Sequence, residues 1–330
     1  MSDPRLAMLS LLADGAVHAG PALGAALGCT RAAVGKQVAA LRAMGLSVEV
    51  RGRQGYCIPG GVELLDAGCL RTALSPPARR ALVGLEVAFS IDSTSGRLLG
   101  QAMPGPGEVT CCLAEYQAGG RGRRGRRWLS PVARGLCLSM GTCLERGGHE
   151  LPTLSLVAGV AVVRALGVAG ARGATLKWPN DVVLGSGKLG GILVDVAGNP
   201  GGPLHVVIGV GINVHGAPAA SDIAQAGGLP PVSLGDPAAG LQPSRNVLAA
   251  AVIDSLAAAI AEFEAHGFAP FVDAWRRIDF LAGRTVDLQV AGRTWSGIAR
   301  GIAEDGTLLV ESGRALHRVV AGEVTLRPRT

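Results

Sequence analysis

Apolar residues near the start of the chain recur at helical spacing. Leu6, Leu9, Leu12 and Ala13 form one stripe. A second short helix is expected over Pro21–Leu27, broken at Gly28. Thr30 offers an N-cap for a third helix, Arg31 to Met44, with Val34, Val38 and Leu41 inward and Gly45 as its stop. Ser47–Val50 and Tyr56–Ile58 alternate and read as a hairpin with Arg51 and Arg53 at its tip. Two long helices follow much later. Thr153 is expected to cap one running to about Leu166. Ser244 is expected to cap another, with Val252, Leu256, Ile260 and Phe263 on one face and Gly267 after it. Strand-like runs lie between them at Val182–Leu184, Gly191–Val196 and Val206–Val214. The first two are joined by the turn Gly185-Ser186-Gly187. The last stretch alternates strands with turns, at Thr285–Val290, Thr294–Ala299, Thr307–Val310 and Glu323–Leu326, and fits a small β-barrel.

These patterns divide the 330 residues into several units, because single cores rarely exceed roughly 250–300 residues. Helix, short turn, helix and hairpin over residues 1–62 make a winged helix-turn-helix plan. It would present Thr30, Arg31 and Lys36 to a DNA groove and Arg51 and Arg53 to phosphates. A helical packing or dimerisation domain without DNA fits the same pattern. Residues 1–60 carry six Lys/Arg against three Asp/Glu, which favours DNA mildly. Residues 63–84, with Ser75-Pro76-Pro77, read as a linker, 85–275 as an α/β unit, and 276–330 as the small barrel. The fold class is therefore α+β multidomain.

Composition narrows the setting. The net charge of +6 permits an anionic partner without demanding one. Seven scattered cysteines without Cys-x-x-Cys argue against a disulfide framework and a zinc site, and point to a reducing, cytoplasmic setting. Arg5, the apolar run Leu6–Ala13 and small residues after it have the outline of a signal peptide. Asp3 and Asp14 oppose that reading, and a first helix fits better. The longest apolar stretch, Leu154–Val163, is half a membrane span, so no membrane partner is expected. Only three of the 31 basic residues are lysine: Lys36, Lys177 and Lys188.

Arg121-Gly122-Arg123-Arg124-Gly125-Arg126-Arg127-Trp128 packs five guanidinium groups into seven positions. Such groups bind phosphates and carboxylates through paired hydrogen bonds. The interleaved glycines let the backbone approach a ligand. Like charges this dense repel, so the loop is expected to order around an anion. A dinucleotide fingerprint, nonspecific RNA binding and a plain solvated loop compete with that reading; the first lacks the apolar helix it needs. Lys177-Trp178-Pro179-Asn180-Asp181 and Lys188-Leu189-Gly190-Gly191 hold the other two lysines. Asp181 could hold a metal or balance a lysine. Gly187-Lys188 fails as a P-loop because Leu189 stands where Ser/Thr belongs. Gly209-Val210-Gly211-Ile212-Asn213 ends an apolar strand with an amide, though a core strand reads the same. Asp92-Ser93-Thr94-Ser95 places hydroxyls at a strand-to-helix turn, which helix capping also explains.

In order and spacing these segments, with Glu115-Tyr116-Gln117, resemble the biotin protein ligases, specifically the longer members that double as biotin operon repressors. The resemblance spans nearly the whole chain, and reaches the first domain through Thr30–Val34 and Gly55-Tyr56. It implies a catalytic unit of the biotin/lipoate ligase type and an SH3-like C-terminal barrel. It also implies an activity: ATP and biotin form biotinyl-5'-AMP, and the biotinyl group passes to a lysine of a biotin carboxyl carrier protein. Ser93, Thr94, Ser95, Gln117, Arg121, Gly122, Arg123, Lys188 and Gly191 would surround biotin. Arg123, Arg126, Trp128, Lys177, Asn180, Asp181 and Asn213 would serve the nucleotide, with Asp181 on Mg2+. Lys188, Arg123 and Arg121 would be the catalytic charges. Operator DNA and a homodimer formed on the adenylate are the implied partners. Two departures stand out: Ser95 occupies a place where family members often carry Asn, and Gly216–Gly228 lacks a large side chain for the nucleotide. A biotin-sensing transcription factor without turnover, and a ligase for lipoate or another carboxylate, remain alternatives.

Overall fold

The computed structural model describes residues 3–145, 148–199, 201–218, 229–235, 243–290, 293–320 and 325–328. The chain opens with three helices, α1 (Pro4–Leu12), α2 (Gly20–Ala26) and α3 (Arg31–Ala43). Asp3 caps α1 by accepting from Arg5 N at 2.8 Å, and Thr30 caps α3 by accepting from Ala33 N at 3.3 Å. Met8, Leu9 and Leu12 meet Val34, Val38 and Leu41 in one apolar cluster. The hairpin β1 (Glu49–Val50) and β2 (Tyr56–Cys57) follows, two residues per strand and shorter than the alternation suggests. The same cluster includes Phe89, Val132 and Ala133, so the N-terminal unit is seated on the next one.

Residues 63–84 are not a loose linker, which corrects the expectation from composition. They form α4 (Ala67–Ala73) and α5 (Pro76–Ala81) and lead into β3 (Leu82–Ile91). Leu65, Leu70, Leu74, Ala78 and Leu82 are buried in the main core. Proline and serine here start helices: Ser75 caps α5 and Pro76 fills its first position.

The central sheet has seven strands: β3, β4 (Val109–Gln117), β5 (Gly135–Leu144), β6 (Ala174–Lys177), β7 (Asp181–Leu184), β8 (Gly187–Ala197) and β9 (Leu204–Asn213). Their order is β3-β4-β5-β9-β8-β7-β6. Only β3 and β4 are parallel, so the sheet is mixed. Helix α6 (Thr94–Leu99) follows β3 directly. One face of the sheet is covered by α7 (Leu154–Val168) and α8 (Arg245–His266), which pack on each other. Residues 150–168 and α8 are long and apolar enough to cross a membrane by length and composition. Here they supply core residues such as Val157, Ala161, Leu256 and Phe263. Ser244 caps α8 as expected. Thr153 does not cap α7: its hydroxyl donates to Glu150 O at 2.6 Å, inside a 3₁₀ turn that leads into the helix.

Helix α9 (Val272–Arg277) connects to a five-stranded antiparallel sheet of β10 (Thr285–Val290), β11 (Arg293–Ile302), β12 (Leu308–Ser312), β13 (Ala315–Val319) and β14 (Thr325–Pro328). Its order is β13-β12-β11-β10-β14. The alternation finds β10, β11 and β12 but not β13; residues 323 and 324 of the last expected strand lie outside the described residues. Val286, Leu288, Ala299, Ile302 and Leu308 join the main core, so the second sheet packs directly on the first unit.

Candidate functional site

The sheet face opposite α7 and α8 carries the chemistry. Its first part lies where β3 turns into α6. Ser93 caps α6, accepting from Gly96 N at 3.2 Å. This leaves Thr94 and Ser95 at the helix start, both buried. Gln117, at the end of β4, accepts from the amide of Thr94 at 2.7 Å and from its hydroxyl at 3.1 Å. The Thr94 and Ser95 hydroxyls lie 2.7 and 2.9 Å from the hydroxyl of Ser139. Ser139 is fully buried on β5 opposite Gly209. A Cβ at Gly209 would stand 2.8 Å from Ser95 Oγ, so glycine keeps that floor open. Motif reading misses Ser139. Its signal is a serine, one of two hydroxyl residues with Thr142, inside the apolar run Leu136–Leu144.

The second part is a charge cluster. Lys177 ends β6 and Asp181 starts β7, while Lys188 enters from β8. Asp181 Oδ1 lies 2.6 Å from Lys188 Nζ, and Oδ2 lies 3.7 Å from Lys177 Nζ. Burial pushes the Lys177 ammonium below its ordinary range, Asp181 opposes that, and Lys188 and Arg126 add to it by repulsion. Arg123 donates to Asn180 Oδ1 at 3.4 Å and is likewise pushed down, by burial first and by Arg124 second. Asn180 is held in turn by its Nδ2 on Ile192 O at 2.8 Å. Arg123, Lys177 and Lys188 thus converge on Asp181 and Asn180.

The arginine loop is a small hairpin. Gly122 N donates to Arg126 O at 2.7 Å and Trp128 N to Gly120 O at 2.8 Å, around a 3₁₀ turn at Arg123–Gly125. Arg121 is turned away from the lysines and pairs with Asp195 at 3.3 Å. Arg126 is exposed. Trp128 lies on the glycines of β8 and β9: a Cβ at Gly211 would stand 2.4 Å from its Cε2, and one at Gly191 3.9 Å from its Cζ3. Beside Gly191, then, lie the Trp128 indole and the Lys188 side chain. Gly211→Ala should dislodge that indole and weaken binding of the expected nucleotide, ATP, about tenfold or more. Titration calorimetry checks this; unchanged affinity refutes it.

Asn213 closes β9. Its Nδ2 donates to Val232 O at 3.0 Å, and its Oδ1 is buried without a partner among the described residues. Lys188 pairs through its backbone with the same 230–232 segment, donating to Pro230 O at 2.7 Å and accepting from Val232 N at 3.0 Å. A buried amide oxygen without a partner among the described residues is a place for a ligand N–H. Of the segment 216–228, residues 219–228 lie outside the described residues.

The arrangement has known counterparts. A model of the biotin/lipoate A/B protein ligase family matches residues 90–213, and one of the biotin protein ligase C-terminal domain matches 282–327. The chain is 38% identical over 325 residues to the bifunctional ligase/repressor BirA of Salmonella typhimurium, covering 98% of this chain and 97% of that one.

This chain belongs to the biotin protein ligase family.

The ligase is also 35% identical to the biotin–[acetyl-CoA-carboxylase] ligase of Paracoccus denitrificans, over 71% of this chain and 96% of that one. The biotin protein ligase of Aquifex aeolicus in complex with biotin and ATP superposes with a TM-score of 0.60 at 26% identity, covering 76% of this chain and all of the other. The match accounts for the mixed sheet and the C-terminal antiparallel sheet of this ligase. In the N-terminal unit, Arg31, Lys36 and Arg53 are exposed. Arg51 is engaged by Glu49 at 2.6 Å, and the Thr30 hydroxyl by its capping contact.

Proposed function

We propose that this biotin ligase forms biotinyl-5'-AMP on the Lys177–Asp181–Lys188 cluster and passes the biotinyl group to a lysine of a carboxylase's biotin carrier protein. The supporting observation is the convergence of Lys177, Lys188 and Arg123 on one carboxylate and one amide. Attack of a carboxylate on the α-phosphorus brings two anions together and builds charge on pyrophosphate. Fixed cations offset that charge where it develops. Lys188 is assigned to the biotin carboxylate and α-phosphate. Arg121 and Arg123 are assigned to the closing loop, Lys177, Arg126, Asn180 and Trp128 to the nucleotide side, and Asn213 Oδ1 to an N–H of the base. Arg121 must exchange Asp195 for the ligand. The product is a mixed anhydride, reactive enough toward an amine to need no protein nucleophile, and the loop shields it from water.

The cluster of buried Ser93, Thr94, Ser95 and Ser139 with half-buried Gln117 favours biotin over lipoate. A cyclic urea both donates and accepts hydrogen bonds and satisfies such groups, whereas a dithiolane leaves them unpaired. Magnesium is read as travelling with ATP. Both oxygens of Asp181 are taken by lysines, and among the described residues no group of three or more His, Cys, Asp or Glu could hold a metal. Asp181 is therefore assigned as a counter-ion to the lysines and not as a resident metal ligand. Incubation with biotin, magnesium-ATP and a biotin carrier domain should add one biotinyl mass to the carrier and release pyrophosphate. Excess lipoate should not compete. An unmodified carrier, or competition by lipoate, rejects the reading.

A second role concerns residues 1–62, assigned as a winged helix-turn-helix. The unit comprises three helices and a hairpin, with no acidic residue in α3. We assign it to operator DNA and repression of biotin synthesis genes, with the adenylate as corepressor of a homodimer. The domains are then 1–62, a catalytic unit of 63–275 that takes in α4 and α5, and an SH3-like unit of 276–330. Arg31→Ala should weaken operator binding about tenfold while sparing adenylation. Gel-shift and pyrophosphate assays on one preparation test this, and an equal loss of both would make the first unit a folding element only.

A further inference from the structure

We propose that Arg245, which opens α8 on the far side of the ligand-facing surface, is a positioning residue for the nucleotide half of the adenylation site. The proposal rests on the assignment of Asn213 to the nucleotide. The Arg245 side chain is completely buried. A guanidinium does not shed its charge in a protein interior, so the surrounding fold must supply acceptors. Three separate segments supply them to Nε and Nη1, while Nη2 is buried without a hydrogen-bond partner among the described residues. Arg245 Nε donates to Gly135 O at 2.9 Å and Nη1 to Glu63 O at 2.7 Å. Nη1 also lies 2.8 Å from Glu115 Oε2. Glu115, buried as well, accepts from Leu65 N on its other oxygen at 2.5 Å. The Glu63 carboxylate accepts from the Arg245 amide, from the Ser244 hydroxyl at 2.6 Å and from Asn246 Nδ2 at 2.9 Å.

Two of the three segments gripped by this bracket lead to the site. Gly135 is the first residue of β5 and pairs across to Asn213, the last residue of β9. Asn213 carries the buried Oδ1 that lacks a partner among the described residues. Glu115 stands two residues before Gln117 on β4, and its carbonyl accepts from Ala133 N at 3.1 Å. Ala133 has a φ of 57°, a left-handed conformation that a non-glycine residue holds only when its surroundings impose it. The return path from Trp128 to the sheet is therefore pinned at Ala133 through Glu115 and at Gly135 through Arg245. Together these contacts set the direction of the Asn213 amide and the point where the arginine loop rejoins β5. An apolar side chain of the same volume would fill the space but direct nothing. Buried ion pairs add little net stability over such isosteres, whereas a guanidinium fork holds its acceptors at fixed angles.

The test uses the full chain with Arg245→Lys and with the double variant Arg245→Met/Glu115→Leu, which removes both charges at similar volume. Thermal midpoints are measured first, then pyrophosphate release with KM for ATP and for biotin determined separately. The double variant should fold, with KM for ATP raised about tenfold or more and KM for biotin changed less than about threefold. Arg245→Lys, which keeps the charge without the fork, should fall between it and the parent. An unchanged KM for ATP in the double variant, an equal rise for both substrates, or a double variant that does not fold would each make Arg245 a folding residue alone and overturn the assignment. Absence of pyrophosphate release from the unaltered protein would instead reject the ligase reading itself.

Discussion

Lys188→Ala should reduce pyrophosphate release by at least about a hundredfold to a thousandfold, the usual cost of deleting one preorganised donor at a developing charge. Three observations set that size. Lys188 lies 2.6 Å from Asp181, so its ammonium is held in place ahead of ligand binding. Its backbone is fixed on both sides, on β8 and by the 230–232 segment. It is one of only three lysines in the chain, and Lys177 beside it is buried and paired to the same carboxylate. Lys177 therefore has no freedom to take its place. The Lys188 side chain is partly exposed and its loss opens no core cavity, so the thermal midpoint should move little. Arg123→Ala should do less harm, because its contact with Asn180 at 3.4 Å is long. Near-normal turnover by Lys188→Ala would remove the central charge from the proposed chemistry.

Asp279→Asn should stabilise the protein at pH 8 and lose that advantage toward pH 4. Asp279 sits at the seam between the two sheets, where residues 278–280 pair with Leu176 of β6. One carboxylate oxygen accepts from Leu281 N at 2.8 Å, and the other is buried without a partner among the described residues. Burial pushes its pKa up from 3.8 to about 6, with the backbone contacts of Leu281 and Ala282 opposing. The native state therefore favours the neutral acid. As pH rises from about 4 to about 6 the unfolded chain loses this proton first, and stability falls. Above about 6 the cost is constant. A shift of this size corresponds to no more than about 3 kcal/mol. Asparagine keeps the acceptor for Leu281 but adds a buried donor, so the expected gain at pH 8 is about 1–2 kcal/mol. Denaturant titrations of both proteins between pH 4 and pH 8 measure the difference, and a difference independent of pH would show that Asp279 is not protonated in the native state.

Residue type and spacing alone reveal several features. The caps at Thr30 and Ser244 are legible because capping is local: a side chain meets an amide three residues on. The charge cluster is legible in part, because two of three lysines lie eleven residues apart across a glycine turn, and a hairpin brings such positions together. The grouping of Arg121 with Lys188 comes from the family resemblance and not from spacing, and the pairing of Arg121 with Asp195 is visible only in the fold. Thr153 has the composition of a cap, but a 3₁₀ turn ahead of α7 directs its hydroxyl elsewhere. Strands β3, β4 and β5 are hard to recognise because Cys, Gly, Ala and Ser interrupt their apolar runs, and β5, buried at every position, has no polar alternation to read.

The sequence by itself determined the local units: which stretches become helices, which turns join strands, and which rare charged residues stand ready for anions. Those depend on contacts a few residues apart, so residue type and spacing carry them. The tertiary structure alone decided that residues 63–84 belong to the core, that Ser139 completes the hydroxyl cluster, and that Arg245 reaches Glu63, Glu115 and Gly135 at once. Each of these joins residues distant in sequence. Buried polar groups must find partners wherever the packed chain brings them, and no spacing along the chain records where that is.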